Sequence, residues 1–211
     1  MFSLDSKFVQ ILNRVTDLLV LNLLFVVTSI PVFTIGASMT AMYTVCFRFG
    51  EDWEEGVWKT YFKAFRSNFR QATGIWLILA LILFLCAGDF LICLSMTNGL
   101  RYLTILAAVL GFMTLLTFSM VFPLLSRFDN KVKNTLHNAM LLALAYAPRS
   151  ILLGLLNAAP VVLFLVSPYL SVRFSPLFLL IYYALAAYFG VWLLKKPFEK
   201  LASPVETLPE A

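Results

Sequence analysis

Thr73-Gly-Ile-Trp-Leu-Ile-Leu-Ala-Leu-Ile-Leu-Phe-Leu-Cys-Ala-Gly-Asp-Phe-Leu-Ile-Cys-Leu-Ser-Met96 runs for 24 residues with one charged side chain, Asp89. At about 1.5 Å per residue, a helix of that length covers the roughly 30 Å hydrocarbon layer of a bilayer. A helix also satisfies its own backbone hydrogen bonds, which lipid demands of any segment it surrounds. Three further blocks, 102–126, 150–167 and 175–194, meet the same length and polarity test. With four such segments the chain is read as an all-α, polytopic transmembrane helical bundle.

Composition agrees. The 211 residues are 61% hydrophobic and only 13% charged, with a mean hydropathy of +0.89, against about 25% charged residues in a soluble domain. The 20 Phe exceed what one soluble core of this size buries, so the excess is expected to face lipid. The formal charge is +5, but its basic residues sit in short runs between apolar blocks, as in loops facing anionic lipid, which argues against nucleic acid as a partner. Cys86 and Cys93 lie seven residues apart in one apolar helix, too far along the axis to bridge, so no disulfide framework is expected. Small residues in Ala37-Ser-Met-Thr-Ala41 follow an apolar run. The start Met1-Phe-Ser-Leu-Asp-Ser-Lys-Phe8 nevertheless lacks a compact basic region, and no cleaved leader is expected.

The first apolar region, 15–49, is 35 residues long and is interrupted by Ser29-Ile-Pro-Val-Phe-Thr-Ile-Gly36. It is too long for one span and gives two helices near the lower length limit. Basic residues choose between the readings. A hairpin turning at 31–36 leaves fourteen Lys and Arg inside and two, Arg101 and Arg173, outside, whereas a single crossing gives twelve and four. The positive-inside rule favours the hairpin. The expected architecture is one integral domain over 1–200. About six membrane helices (15–30, 34–49, 73–96, 102–126, 150–167 and 175–194) form three hairpins, joined by cytoplasmic amphipathic helices near 55–70 and 130–147. Both termini are placed in the cytoplasm, and 201–211 is expected to be a disordered tail.

The first linker opens on the acids Glu51, Asp52, Glu54 and Glu55 and then becomes a basic amphipathic helix. At 100° per residue Val57, Trp58, Tyr61, Phe62, Phe65 and Phe69 share one face, and Lys59, Lys63, Arg66 and Arg70 share the other. Such a helix either lies in the interface, with its aromatics in the headgroup region, or docks a partner. The partner- or lipid-contact residues are taken as Trp58, Lys59, Phe62, Lys63, Phe65, Arg66, Phe69 and Arg70. In the second linker, Asp129 and Asn130 are candidate caps for a helix on which Val132, Leu136, Ala139 and Ala143 fall on one face.

Inside the membrane, Asp89 is the candidate functional acid, since an ionisable group in hydrocarbon is costly without a role. Its alternative is an interfacial carboxylate reaching water, Arg101 or Arg173. Gly36 and Thr40, with Ala37 and Ala41, form small-residue stripes suited to close helix packing. Asn22, Asn157 and Pro160 mark polar or kinked points near the midplane. His137 is the only histidine and has no second ligand at metal spacing; no catalytic residues, metal site or cofactor are expected.

Asn22-Leu-Leu-Phe-Val-Val-Thr-Ser-Ile-Pro-Val-Phe-Thr-Ile-Gly-Ala-Ser-Met-Thr-Ala-Met-Tyr43, followed by Phe62-Lys-Ala-Phe-Arg-Ser-Asn-Phe-Arg-Gln-Ala72, resembles the YesL family of predicted bacterial integral membrane proteins. Its most specific part is the pattern Pro31, Thr34, Gly36, Ala41 and Tyr43. The resemblance implies a bacterial cell membrane location and an association with carbohydrate uptake, including ABC-type sugar transporters. It brings no catalytic or ligand residues. The function expected from the sequence is that of a non-enzymatic accessory component of oligosaccharide import, with a small transporter or channel as the alternative.

Overall fold

The computed structural model describes residues 7–49, 55–94 and 101–202. Among these the chain is an all-α polytopic bundle without strands. Its helices are α1 (Lys7–Thr28), α2 (Ile35–Arg48), α3 (Gly56–Leu94), α4 (Arg101–Leu125), α5 (Val132–Ala145), α6 (Ala147–Val166), α7 (Pro168–Leu177) and α8 (Tyr183–Ala202). A 3-10 turn, Val32–Thr34, precedes α2, and a π segment, Phe178–Tyr182, joins α7 to α8. Leu81, Phe84, Leu85 and Leu91 on α3, with Val161, Phe164 and Leu165 on α6, are exposed. Apolar faces of that extent require lipid as their solvent.

The helix boundaries differ from expectation in four places. The linker helix near 55–70 and the span 73–96 are one 39-residue helix, α3, because nothing between Phe69 and Ile75 breaks the helical hydrogen bonds even though the hydropathy changes abruptly. The last span starts at Pro168 rather than 175, and α8 runs to Ala202; the remaining tail, 203–211, lies outside the described residues. α5 starts after Lys131 without a side-chain cap, and Asn130 instead offers its carbonyl to Gln71 Nε2 at 2.5 Å. Finally, α1 starts at Lys7, eight residues before 15.

Five helices are long and apolar enough to cross a membrane: Phe8–Thr28, Gly56–Ile92, Thr104–Leu125, Ala147–Val166 and Pro168–Glu199. α2, expected as a sixth, has 14 residues, about 21 Å at 1.5 Å each. Its neighbours explain how so short a helix is accommodated. A Cβ on Gly36 would fall 2.5 Å from Ala72 O, 2.7 Å from Trp76 Cβ and 3.0 Å from Phe122 Cε1, so only glycine lets α2 approach α3 and α4 there. At the other end, Phe47 stacks on Phe198 with centroids 5.6 Å apart and lies 5.3 Å from the Arg127 guanidinium. On α3, Gly36 packs against Ala72 and Trp76 while Arg48, at the other end of α2, lies 3.7 Å from Glu55 beside the first residue of α3, so α2 runs antiparallel alongside the first half of α3. It packs at the end of the bundle carrying Arg70, Arg127, Arg149 and Lys195, called the basic end.

The 31–36 break therefore sits at the basic end, beside Ala72 and Trp76 of α3, and not on the opposite face where a fully crossing first hairpin would put it. A hydroxyl cluster fixes it there. Tyr61 Oη is 2.6 Å from Thr28 Oγ1, which is 2.9 Å from Ser38 Oγ. Thr34 Oγ1 donates to Thr28 O at 2.5 Å, a carbonyl that the end of α1 leaves open, and to Pro31 O at 2.6 Å. Ten of the fourteen α2 residues are buried, so α2 is the centre of the basic-end core.

Candidate functional site

The first half of α3 sorts its two faces. Val57, Tyr61 and Ala64 are buried, and Phe62, Phe65 and Phe69 pack against the core. The aromatic face is thus largely taken up by the bundle, with Phe62, Phe65 and Phe69 half-buried and Trp58 63% exposed. Lys59, Lys63, Arg66 and Arg70 are exposed on the opposite face. Glu55 lies 3.5 Å from Lys63 Nζ and 3.7 Å from Arg48 Nη1. These are exposed pairs of small energetic weight that leave most of the stripe positive. The other acids of the linker, Glu51, Asp52 and Glu54, lie outside the described residues.

A cavity of about 330 Å³ opens at the basic end between α2, α8 and the start of the α4–α5 turn. Its charged walls are Arg127, Lys195 and Glu199, and its aromatic walls include Phe47, Phe49 and Trp192. Arg14 braces one wall from outside: its Nη2 donates to Phe49 O at 2.5 Å, and its guanidinium lies 4.3 Å from the Phe49 ring centroid. The sequence gives these positions no shared motif. They meet only because the end of α2 packs against α8 and Arg127, and the available clue was that Arg127 and Lys195 each follow an apolar run at once.

A second cavity, about 650 Å³ and mainly apolar, lies within the bundle among α1, α2, α3, α4, α6 and the π segment. Trp76, Met42, Phe112 and Gly154 line it, with Ser29 and Asn157 as polar points. The Ser29 Oγ is buried with no hydrogen-bond partner among the described residues.

The midplane polar residues are structural ties. Asn22, fully buried, donates from Nδ2 to Phe178 O at 3.1 Å and to Leu179 O at 2.7 Å, and accepts from Ala184 N at 3.0 Å. A π turn loosens the regular i to i+4 ladder, and one carboxamide serves the groups it frees. Pro160 deprives Leu156 O of its usual donor, and Tyr182 Oη supplies one at 2.8 Å. Pro176 does the same to Val172 O, which accepts from Ser175 Oγ at 2.8 Å. Asn157, the remaining midplane amide, is hydrogen-bonded to the Tyr43 side chain and donates to Leu153 O at 3.0 Å.

Of the other sequence-derived candidates, Asp89 is half-buried on α3, five residues from its end, and lines neither cavity. The Arg101 side chain lies outside the described residues. Pro31 is exposed at the break, while Thr34, Gly36, Ala41 and Tyr43 are all buried. His137 is exposed on α5. Among the described residues no three His, Cys, Asp or Glu side chains gather as a metal site would need.

Pro31, Thr34, Gly36 and Tyr43, together with the linker that α2 packs against, thus form one structural unit, from the end of α1 through α3. The same stretch carries the family signal. Residues 18–90 match a family described as "Protein of unknown function, DUF624". No curated protein and no solved structure matches the chain. The DUF624 segment covers the second half of α1, the break, α2 and all but the last turn of α3, so the similarity falls on this unit rather than on the later spans.

Proposed function

We propose that the protein is a non-enzymatic accessory component of a bacterial plasma membrane. In this reading it contacts an acidic surface of a membrane partner through Lys59, Lys63, Arg66 and Arg70. One observation carries it: the basic stripe is exposed on a helix continuous with a membrane span, while its aromatic face is taken up by the bundle. A rigid, positively charged projection is suited to electrostatic docking, in which charge complementarity sets partner choice and encounter rate. The positive-inside rule assigns the basic end to the cytoplasm. The partner class, an ABC-type transporter for oligosaccharides, follows from the resemblance to YesL proteins, which belong to the DUF624 family.

Affinity purification in mild detergent tests this. Transporter subunits recovered with the native chain and lost with Lys59→Glu/Lys63→Glu/Arg66→Glu/Arg70→Glu support the reading. Recovery of the chain alone, under conditions that preserve known transporter complexes, contradicts it.

A second reading, a small transporter or channel, draws on the intramembrane cavity of about 650 Å³. The lining is mainly apolar and omits Asp89, which suits an apolar solute better than an ion or a sugar. Flux in proteoliposomes that is unchanged by Asp89→Asn removes that carboxyl from any transport path.

A further inference from the structure

We infer that the cavity bounded by Arg127 and Lys195 is a binding site for a phosphate-ester anion, and that its occupant is the headgroup of an anionic phospholipid. The site stands apart from the docking stripe on α3 and does not depend on it. Arg127 lies two residues beyond Leu125, where α4 ends, and Lys195 directly follows Leu194 at the end of the apolar run of α8. Both cations therefore stand at the depth where headgroups meet water, and basic pockets between membrane helices at that depth recognise anionic lipid.

Charge and shape agree with that ligand. Two cations face the cavity against one carboxylate, Glu199. Among the described residues, neither Arg127 nor Lys195 has a carboxylate within ion-pair range. The Arg127 guanidinium is held 5.3 Å from the Phe47 ring, which orients its planar fork without using its N–H donors, and that fork matches two oxygens of a phosphate. Trp192, 68% exposed beside the cavity, offers the amphipathic ring favoured at the lipid–water boundary. The cavity volume of about 330 Å³ is at the lower end for ligand sites. That suits a headgroup whose acyl chains remain in the bilayer.

The test uses the full chain in mild detergent, titrated separately with dioleoyl phosphatidylglycerol and dioleoyl phosphatidylcholine, with bound lipid counted by native mass spectrometry. Phosphatidylglycerol should be retained in preference, and Arg127→Gln/Lys195→Gln should weaken it on the order of tenfold. Lys131→Gln/Lys133→Gln removes the same charge outside the cavity and should leave retention unchanged. Equal retention of the two lipids, or equal loss from both double variants, overturns the proposal. In a parallel arm, inorganic phosphate is added and the melting temperature read. A rise that needs Arg127 and Lys195, without any preference for phosphatidylglycerol, would reassign the site to soluble phosphate esters and overturn the lipid assignment.

Discussion

Asn22 Oδ1 accepts the backbone N–H of Ala184 at 3.0 Å, tying the middle of α1 to the first turn of α8 across 162 residues of chain. Its Nδ2 holds the carbonyls of Phe178 and Leu179, so a single amide closes the gap in the π segment. Asn22→Leu keeps the volume and removes all three bonds. It should lower stability by about 1–2 kcal/mol, since interhelical hydrogen bonds in membranes contribute modestly while orphaned buried groups cost more. Thermal unfolding in mild detergent measures it, and an unchanged midpoint would show that the π segment satisfies itself.

Gly36 and Gly74 predict opposite outcomes for the same substitution. A Cβ at Gly36 meets backbone and core atoms at 2.5 to 3.0 Å, whereas one at Gly74 meets nothing within 4 Å. Gly36→Ala should destabilise by about 1–3 kcal/mol through overpacking. Gly74→Ala should be neutral or stabilising by up to about 1 kcal/mol from helix propensity. The two melting temperatures, compared under one condition, read the difference directly.

Tyr182 and Pro160 should be coupled. Tyr182→Phe leaves Leu156 O without the donor it receives at 2.8 Å, and its cost is expected near 1 kcal/mol. In a Pro160→Ala background the N–H of residue 160 can serve the same carbonyl, so Tyr182→Phe should cost less there. A double-mutant cycle measures the coupling, and additive effects would contradict the account of the proline.

The sequence made the later spans legible because each is bounded by charge at a length that matches the bilayer. The 102–126 and 150–167 blocks lie within about three residues of α4 and α6. It made the basic and aromatic faces of 55–70 legible as well, since 100° periodicity is a local property. What covers the aromatic face was not local. Tyr61 reaches Thr28 and Ser38, residues 33 and 23 positions away in sequence. The first apolar region was the hardest to place because counting basic residues presumes that every apolar block crosses. α2 is apolar because protein surrounds it, as the burial of Ala37, Ala41, Tyr43 and Val45 shows. The cavity at Arg127 and Lys195 was invisible for the same reason: it exists only once the end of α2 packs against α8.

The packing of α2 along the first half of α3 underlies the docking stripe, the basic-end cavity and the position of the break, and labelling tests it most directly. Ile30 is exposed at the break and Ser67 is exposed on α3. In a chain whose native Cys46, Cys86 and Cys93 are replaced, Ile30→Cys and Ser67→Cys are introduced one at a time and treated with a membrane-impermeant maleimide on intact cells and on inverted vesicles. Both should react from the same face of the membrane, the one from which Lys131→Cys reacts; reaction of Ile30→Cys and Ser67→Cys from opposite faces would mean that α2 crosses the bilayer.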